Sequence, residues 1–500
     1  MTFHTRTLLF VLAAAVAGSP AAGGPGEGEE RHPLGESTAA ELAAAATGRS
    51  PSSVMHPTTS ATPCDPCDCN CDSQYDSLDA APLVDALLTG TPGCSACRGD
   101  MDGSGTVDGG DIQPFVACLL NPPPLGACCT GISACTLTSE TGCTGIWLGA
   151  GSTCQATTCS IGGLTAYRPQ HGTGYFPFSR TAVNNADEEN PSFGPGIRVN
   201  APGDSDPQGE DDLIEVLVET TEPAIPLLLR RSDPALRIWT TRAKTAGTEI
   251  PFSGDVTAAL PLGESGTSLT IWVEWAAAEQ GFAELSLEPP AAGYALDVLR
   301  FHTFQSIVMA LGGEGQIPSV PVDPNHGTFV TGISLYNRGY DVFNHSESDV
   351  VPDGSGAAYT EVVNAIAHRR VSHIAIFGYS HGGGSTYFLA DRLDVNRAGI
   401  GIFDITATSY VDGVENDSNF DTQKETRRPP SSGHHTNQFQ VGTLADVFLD
   451  GGPVADSDPP PTGLNVETTP WGVNATHFVV DDYAQVRSLI ETNFAARLAP

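Results

Sequence analysis

All thirteen cysteines of this 500-residue chain fall between Cys64 and Cys159. A chain that confines its thiols in this way folds by two different means. The cysteine-rich part has few apolar residues to bury and depends on cross-links. Everything beyond Cys159 must be held by hydrophobic cores alone. Disulfides in small, core-poor modules belong to oxidising compartments. The odd count leaves at least one thiol unpaired or intermolecular.

The first residues agree with export. Arg6 leads into LLFVLAAAVA, Leu8 to Ala17, which is too short to cross a bilayer and is followed by small residues suited to cleavage near Ala17 or Ala22. This predicts a signal peptide over residues 1–22 and a secreted or cell-surface protein with no transmembrane segment. The formal charge of −36, from 59 acidic and 23 basic residues, repels phosphate and excludes nucleic acid as a partner.

Composition divides the rest. Residues 23–63, rich in Gly, Pro, Ala, Ser and Thr, read as a low-complexity linker. Asp68 to Leu88 repeats as Asp100 to Leu120 at an offset of 32 residues, within a module of residues 64–122. Residues 123–160 hold six cysteines and read as a disulfide module whose connectivity is not legible. Short β-rich runs broken by Pro, Gly and Asp predict an antiparallel sandwich over 161–300. From 301 to 500, strand-like runs alternate with helical segments, which predicts a mostly parallel sheet with crossover helices.

The repeat carries the oxygens that calcium needs, since about six to eight ligands come from alternate positions of a loop of about twelve residues. The second copy offers Asp100, Asp102, Ser104, the Thr106 carbonyl, Asp108 and Asp111 around Gly105. The first offers Asp68, Asn70, Asp72, the Gln74 carbonyl, Asp76 and Asp79, with Ser73 at the turn. A rival reading takes Cys64, Cys67, Cys69 and Cys71 as a zinc or iron–sulfur site.

Within the last region, His373 to Tyr379 (HIAIFGY) runs into Gly378-Tyr379-Ser380-His381-Gly382 and then a helical segment. A serine on a strand-to-helix turn flanked by two glycines stands clear of its sheet, which is the geometry of a nucleophile elbow. Serine attacks an ester only when a histidine takes its proton and a carboxylate orients that histidine. His477, in NATHFVVDD, is the base candidate, with His326, His434 and His435 as rivals. Asp404, at the end of the strand-like Gly399 to Ile405, is the acid candidate, with Asp446 as the alternative. The turn Gly312-Gly313-Glu314-Gly315 follows the apolar run Phe304 to Leu311 and suits an oxyanion loop, with donors from Gly313, or Glu314, and from His381.

Residues 300–497 resemble the α/β-hydrolase superfamily in its lipase and esterase form, on the elbow, the Gly312–Gly315 loop and the order Ser380, acid, His477. The resemblance implies a doubly wound, mostly parallel sheet and a secreted serine hydrolase of carboxylic esters, lipid-like substrates among them. It also implies a lid, for which the polar insertion Val411 to His435 is the place. Tyr379, Phe403 and Trp471 are candidates for an acyl pocket. The repeat resembles the dockerin domain, which implies a helical module, two structural calcium ions and a cohesin-like partner. The fold class expected is thus multidomain, with a doubly wound C-terminal part, a central sandwich that offers a carbohydrate surface, a helical calcium module and a cysteine-rich module. Two other functions fit the same residues: an inactive hydrolase-like binding protein, or a peptidase or thioesterase with the same triad.

Overall fold

Strand-forming runs dominate the chain after Gly126, and the fold follows them. The computed structural model describes residues 69–70, 77–89, 100–101, 104, 106–121, 124–155, 158–168, 180–186, 194–201, 212–262, 267–290, 294–319, 321–417, 422–441, 451–464 and 476–499, all within the compact unit Ala61–Pro500.

Two short helices come first, α1 (Ala80–Thr89) and α2 (Ile112–Leu120), each entered through a 3-10 turn and packed on a core of Cys69, Leu83 and Phe115. A three-stranded antiparallel sheet follows, β1 (Gly126–Gly131), β2 (Ala134–Thr138) and β3 (Ile146–Ala150), in the order β2-β1-β3. Its few buried side chains are supplemented by disulfides Cys128–Cys143, Cys129–Cys159 and Cys135–Cys154. These bonds place the chain in an oxidising, extracellular-type environment. Among the described residues no helix is long and apolar enough to cross a membrane.

Two sheets then enclose one core. The strands are β4 (Gly162–Arg168), β5 (Thr181–Val183), β6 (Gly196–Ile197), β7 (Leu213–Thr220), β8 (Leu228–Arg231), β9 (Leu236–Trp239), β10 (Phe252–Ser253), β11 (Val256–Thr257), β12 (Ser268–Trp275), β13 (Phe282–Glu288) and β14 (Asp297–Thr303). One sheet runs β5-β4-β7-β12-β9, the other β10-β11-β8-β13-β14-β6. Alternation drives the packing: Ile214, Val216 and Val218 of β7 point inward with Ile271 and Val273 of β12, opposite Leu285, Leu287, Leu299 and Phe301.

The last sheet holds β15 (Ser306–Leu311), β16 (Val342–His345), β17 (His373–Tyr379), β18 (Asp404–Val411), β19 (Ser432–Gln440) and β20 (Thr462–Leu464), in the order β16-β15-β17-β18-β19-β20, every pair parallel. All six residues of β15 are buried, as a strand covered on both faces requires. The accompanying helices are α3 (Gly327–Asn337), α4 (Ala357–Ala367), α5 (His381–Val395), the single turn α6 (Arg397–Ile400) and α7 (Ala484–Ala495). Strand order reverses at β15, so the C-terminal ends of β15 and β17 lie side by side at the switch point of the sheet.

The expected fold class is corrected on two points. A doubly wound sheet alternates strand and helix throughout, whereas the described residues form four sheets with few helices and contain no helix between β18 and β19 or between β19 and β20. There the polar side chains of β18 and β19 satisfy one another: Thr408 Oγ1 meets His435 Nδ1 at 2.8 Å, and Thr436 donates to Ser409 at 2.7 Å. The molecule is mostly β. Nor do residues 64–122 form the helical calcium module, for their described part is two short helices on three buried side chains.

The boundary expected at residue 300/301 falls inside β14. The chain changes sheets at Phe304–Gln305, with no linker between β14 and β15.

Candidate active site

β17 delivers Ser380, the candidate nucleophile. Its apolar residues sit in the core, and the chain then turns so tightly into α5 that Ser380 adopts φ 54° and ψ −127°, a backbone that L-residues rarely take. Both elbow glycines are demanded by contact. A Cβ on Gly378 would lie 1.9 Å from the Gly382 carbonyl oxygen, and one on Gly382 would lie 2.2 Å from that of Leu311.

Ser380 Oγ stands 2.8 Å from His477 Nε2, and His477 Nδ1 stands 2.6 Å from Asp412 Oδ2. The histidine comes from a 3-10 segment, His477–Asp482, just before α7. With its Nδ1 proton directed at Asp412, Nε2 is left to accept from the serine hydroxyl. All three side chains are buried. Asp412 Oδ1 accepts the N–H groups of Gln440 and Gly451, both at 2.9 Å, so the carboxylate is held from three directions. The Tyr379 hydroxyl donates to the His477 carbonyl and fixes the turn that carries the base.

The structure therefore brings Ser380 and His477 together but joins them to Asp412 rather than Asp404. Asp404 opens β18 and is exposed, pairing in register with His373 at the far end of the sheet. Asp446 and Trp471 lie outside the described residues. His326 precedes α3 and faces Asp323 at 3.9 Å, while His434 and His435 lie within β19. Burial pushes His435 down to about 3, so it is a neutral core side chain.

The candidate oxyanion loop Gly312–Gly315 lies against the elbow, since a Cβ on Gly313 would meet the Tyr379 ring at 2.9 Å and Ser380 Cβ at 3.1 Å. The Gly313 N–H, however, donates to Gln316 Oε1 at 3.1 Å. The Gly313 carbonyl accepts the Gln316 N–H at 2.9 Å. A peptide plane with its carbonyl held on one side presents its N–H on the other, and that N–H belongs to Glu314. His381 opens α5 directly after the nucleophile, and its Nδ1 lies 3.5 Å from Glu314 Oε2.

Two carboxyl groups near the loop are pushed above the usual carboxylate range. Burial, reinforced by Asp482, pushes Asp481 up to about 6. Burial, with Glu314 and Asp349 adding to it, pushes Glu347 up to about 7. Two apolar side chains stand in solvent beside the candidate site: Phe478, 66% exposed, next to His477, and Ile317, 67% exposed, next to Gln316.

Of the expected calcium ligands, Asp68, Asp72, Gln74, Asp76 and Asp102 lie outside the described residues. Asp79 Oδ1 accepts the Asn70 N–H at 3.0 Å. Asp111 repeats the device, Oδ1 accepting from Met101 N and Oδ2 from Asp108 N at 2.7 Å. Both carboxylates thus close their loops onto backbone donors. Asp100 Oδ1 takes the Ser104 N–H at 2.9 Å, and Thr106 Oγ1 reaches Asp108 at 3.4 Å. The sulfurs of Cys129, Cys135 and Cys159 cluster within 4.8 Å. All three are in disulfides, which leaves no thiolate to bind a metal.

No protein-family model matches the chain, and no curated protein matches it.

Proposed function

We propose that the chain is a secreted serine hydrolase that cleaves carboxylic esters through an acyl-enzyme. The observation that carries this reading is the continuous chain from Ser380 Oγ to His477 (2.8 Å) to Asp412 (2.6 Å), set on an elbow at the switch point of a parallel sheet. Ser380 Oγ attacks the ester carbonyl as its proton passes to His477 Nε2. Asp412 orients the ring and stabilises the imidazolium. The oxyanion is met by the Glu314 and His381 N–H groups, the former having no acceptor among the described residues. Collapse of the tetrahedral intermediate expels the alcohol, which takes the proton from His477. Water then attacks the acyl-enzyme, giving its proton to His477, and the acid leaves as Ser380 recovers its own.

Phe478 and Ile317 favour esters with apolar acyl chains, because such side chains left in water beside a reaction centre gain from a substrate that covers them. The signal peptide over residues 1–22 belongs to the same proposal. Calcium is a separate one for the loop Asp100–Asp111, resting on its oxygen spacing, and titration calorimetry against an Asp108→Ala variant tests it.

The test is hydrolysis of p-nitrophenyl esters of increasing chain length by the full chain and by Ser380→Ala, with amide and thioester probes alongside. Turnover lost in the variant, together with labelling of Ser380 by a fluorophosphonate, supports the reading. Folded protein that neither turns over nor is labelled sinks it. Faster turnover of amides or thioesters would transfer the same machinery to a peptidase or thioesterase.

A further inference from the structure

The segment that carries His477 does more than carry it. Four residues on, Asp481 is 2% exposed and its Oδ2 takes three donors: Gln316 Nε2 at 3.3 Å, the Thr328 N–H at 3.2 Å and the Thr328 hydroxyl at 3.3 Å. Gln316, also buried, passes the connection on, because its Oε1 accepts from Gly313 N and its own N–H donates to the Gly313 carbonyl. A carboxylate only accepts, so Asp481 forces the Gln316 amide to turn Nε2 toward it and therefore Oε1 toward Gly313. Gln316 thus holds both peptides that flank Gly313, the first through its side-chain amide and the second, which presents the Glu314 N–H, through its backbone, and Asp481 ties that residue to the histidine turn.

We propose that Asp481 and Gln316 are positioning residues that lock the oxyanion loop to the turn bearing His477, so that base and oxyanion donor keep a fixed separation. The proposal rests on the serine hydrolase reading above and deepens it.

A plainer role would be to cap α3. Asp481 does accept from Thr328, and Asp482 Oδ1 accepts the Gly327 N–H at 3.1 Å. Capping alone needs no deeply buried acid, since an exposed Ser, Thr or Asn serves at a helix N-terminus. The burial that pushes Asp481 up to about 6 is a standing cost to the fold, and it coincides with the contact to Gln316. The contacts also close a ring. Tyr379 packs under Gly313 and donates to the His477 carbonyl, which completes a circuit through elbow, histidine turn, Asp481, Gln316 and loop.

The test uses the full chain and one p-nitrophenyl ester. Asp481→Asn should lower kcat by about tenfold with KM held within about twofold, as expected of a displacement well under 1 Å. Its Tm at pH 8 should be unchanged or higher, because a buried charge has been removed. Gln316→Ala should lose kcat to a similar extent, and the double variant should lose no more than the larger single loss. The exchange Asp481→Asn with Gln316→Glu restores the connection with donor and acceptor swapped, and should recover kcat to within about threefold of the parent. Wild-type turnover in Asp481→Asn overturns the proposal. So do losses that multiply in the double variant, or an exchange that recovers nothing. A parent protein with neither turnover nor fluorophosphonate labelling overturns the hydrolase reading, and this inference with it.

Discussion

Ser380 and Asp412 hold equivalent places on neighbouring strands: each follows one member of the register pair Tyr379 and Val411, and each takes a left-handed backbone, φ 54° and 49°. The Ser380 N–H donates to the Val411 carbonyl at 3.1 Å. The spacing of Ser380 and Asp412 is therefore set by the hydrogen-bonding distance between β17 and β18. His477 need only be laid across the gap.

Exchange of the acids separates the two carboxylates. Asp412→Asn should lower kcat by about 10³- to 10⁴-fold while the fold stays intact, because an amide cannot hold the required tautomer or stabilise the imidazolium. Asp404→Asn should turn over as the parent does, lying roughly 25 Å away at the strand rise of β18. Steady-state kinetics on both variants decide it, and a parental Asp412→Asn would remove that residue from the site.

That exchange also shows what the sequence could and could not disclose. The elbow was legible because three signals coincide at residues 373–384: an apolar run, two glycines at contact distance and a following helix. The acid that meets His477 stands at the end of the strand after the elbow, but that strand does not lie where the apolar run suggests. Gly399 to Phe403 reads as an apolar run, yet Arg397–Ile400 is a helical turn and the strand begins at Asp404. The true strand, DITATSYV, hides its character because Thr408 and Ser409 bond to β19 rather than to water. β19 itself, SGHHTNQFQ, is a buried strand with the composition of a loop. Gln316 and Asp481 carry no signal in the sequence, since polar residues reveal a shared partner only once their segments meet.

Glu347 makes stability depend on pH. Its acid form is favoured in the fold, so its contribution is full below its ordinary value near 4.5 and is lost as pH rises through about 7. Glu347→Gln cannot ionise. Its Tm should match the parent's near pH 4.5 and exceed it increasingly from pH 6 to 8. Differential scanning calorimetry across that range checks the sign, and a gap widening toward acid would contradict it.

The elbow leaves no room for a methyl group. Gly382→Ala drives a Cβ to within 2.2 Å and 2.5 Å of the Leu311 and Gly312 carbonyl oxygens, both backbone atoms. It should cost at least about 3 kcal/mol or prevent folding. Gly399→Ala, with nothing within 4 Å of the new atom, should be neutral within about 0.5 kcal/mol. Chemical denaturation of the two variants measures the difference.

Reduction should act on one part of the molecule. The sheet β1–β3 is cross-linked by bonds closing 15, 19 and 30 residues, and loops of that size each contribute on the order of 3 kcal/mol. The site sits on a separate hydrophobic core built from β15–β18 and their helices. Under mild reductant the first calorimetric transition should fall sharply while ester turnover at 25 °C persists. Simultaneous loss of both would show that the two cores depend on each other.

The junction of the sandwich and the parallel sheet has a further implication. Arg198, just past β6, clasps Asp341 with a contact of 2.7 Å, and Arg369 approaches the same carboxylate at 3.7 Å while pairing with Glu361. All four side chains are buried. Removing the sandwich would take Arg198 away from Asp341 and leave only Arg369, already paired with Glu361, beside that carboxylate. The sandwich is thus no removable accessory. Transplantation, domain shuffling or recombinant trimming of this enzyme candidate must carry both layers together, and any lineage that exchanged one for another would have had to rebuild Arg198 and Asp341 in the same step.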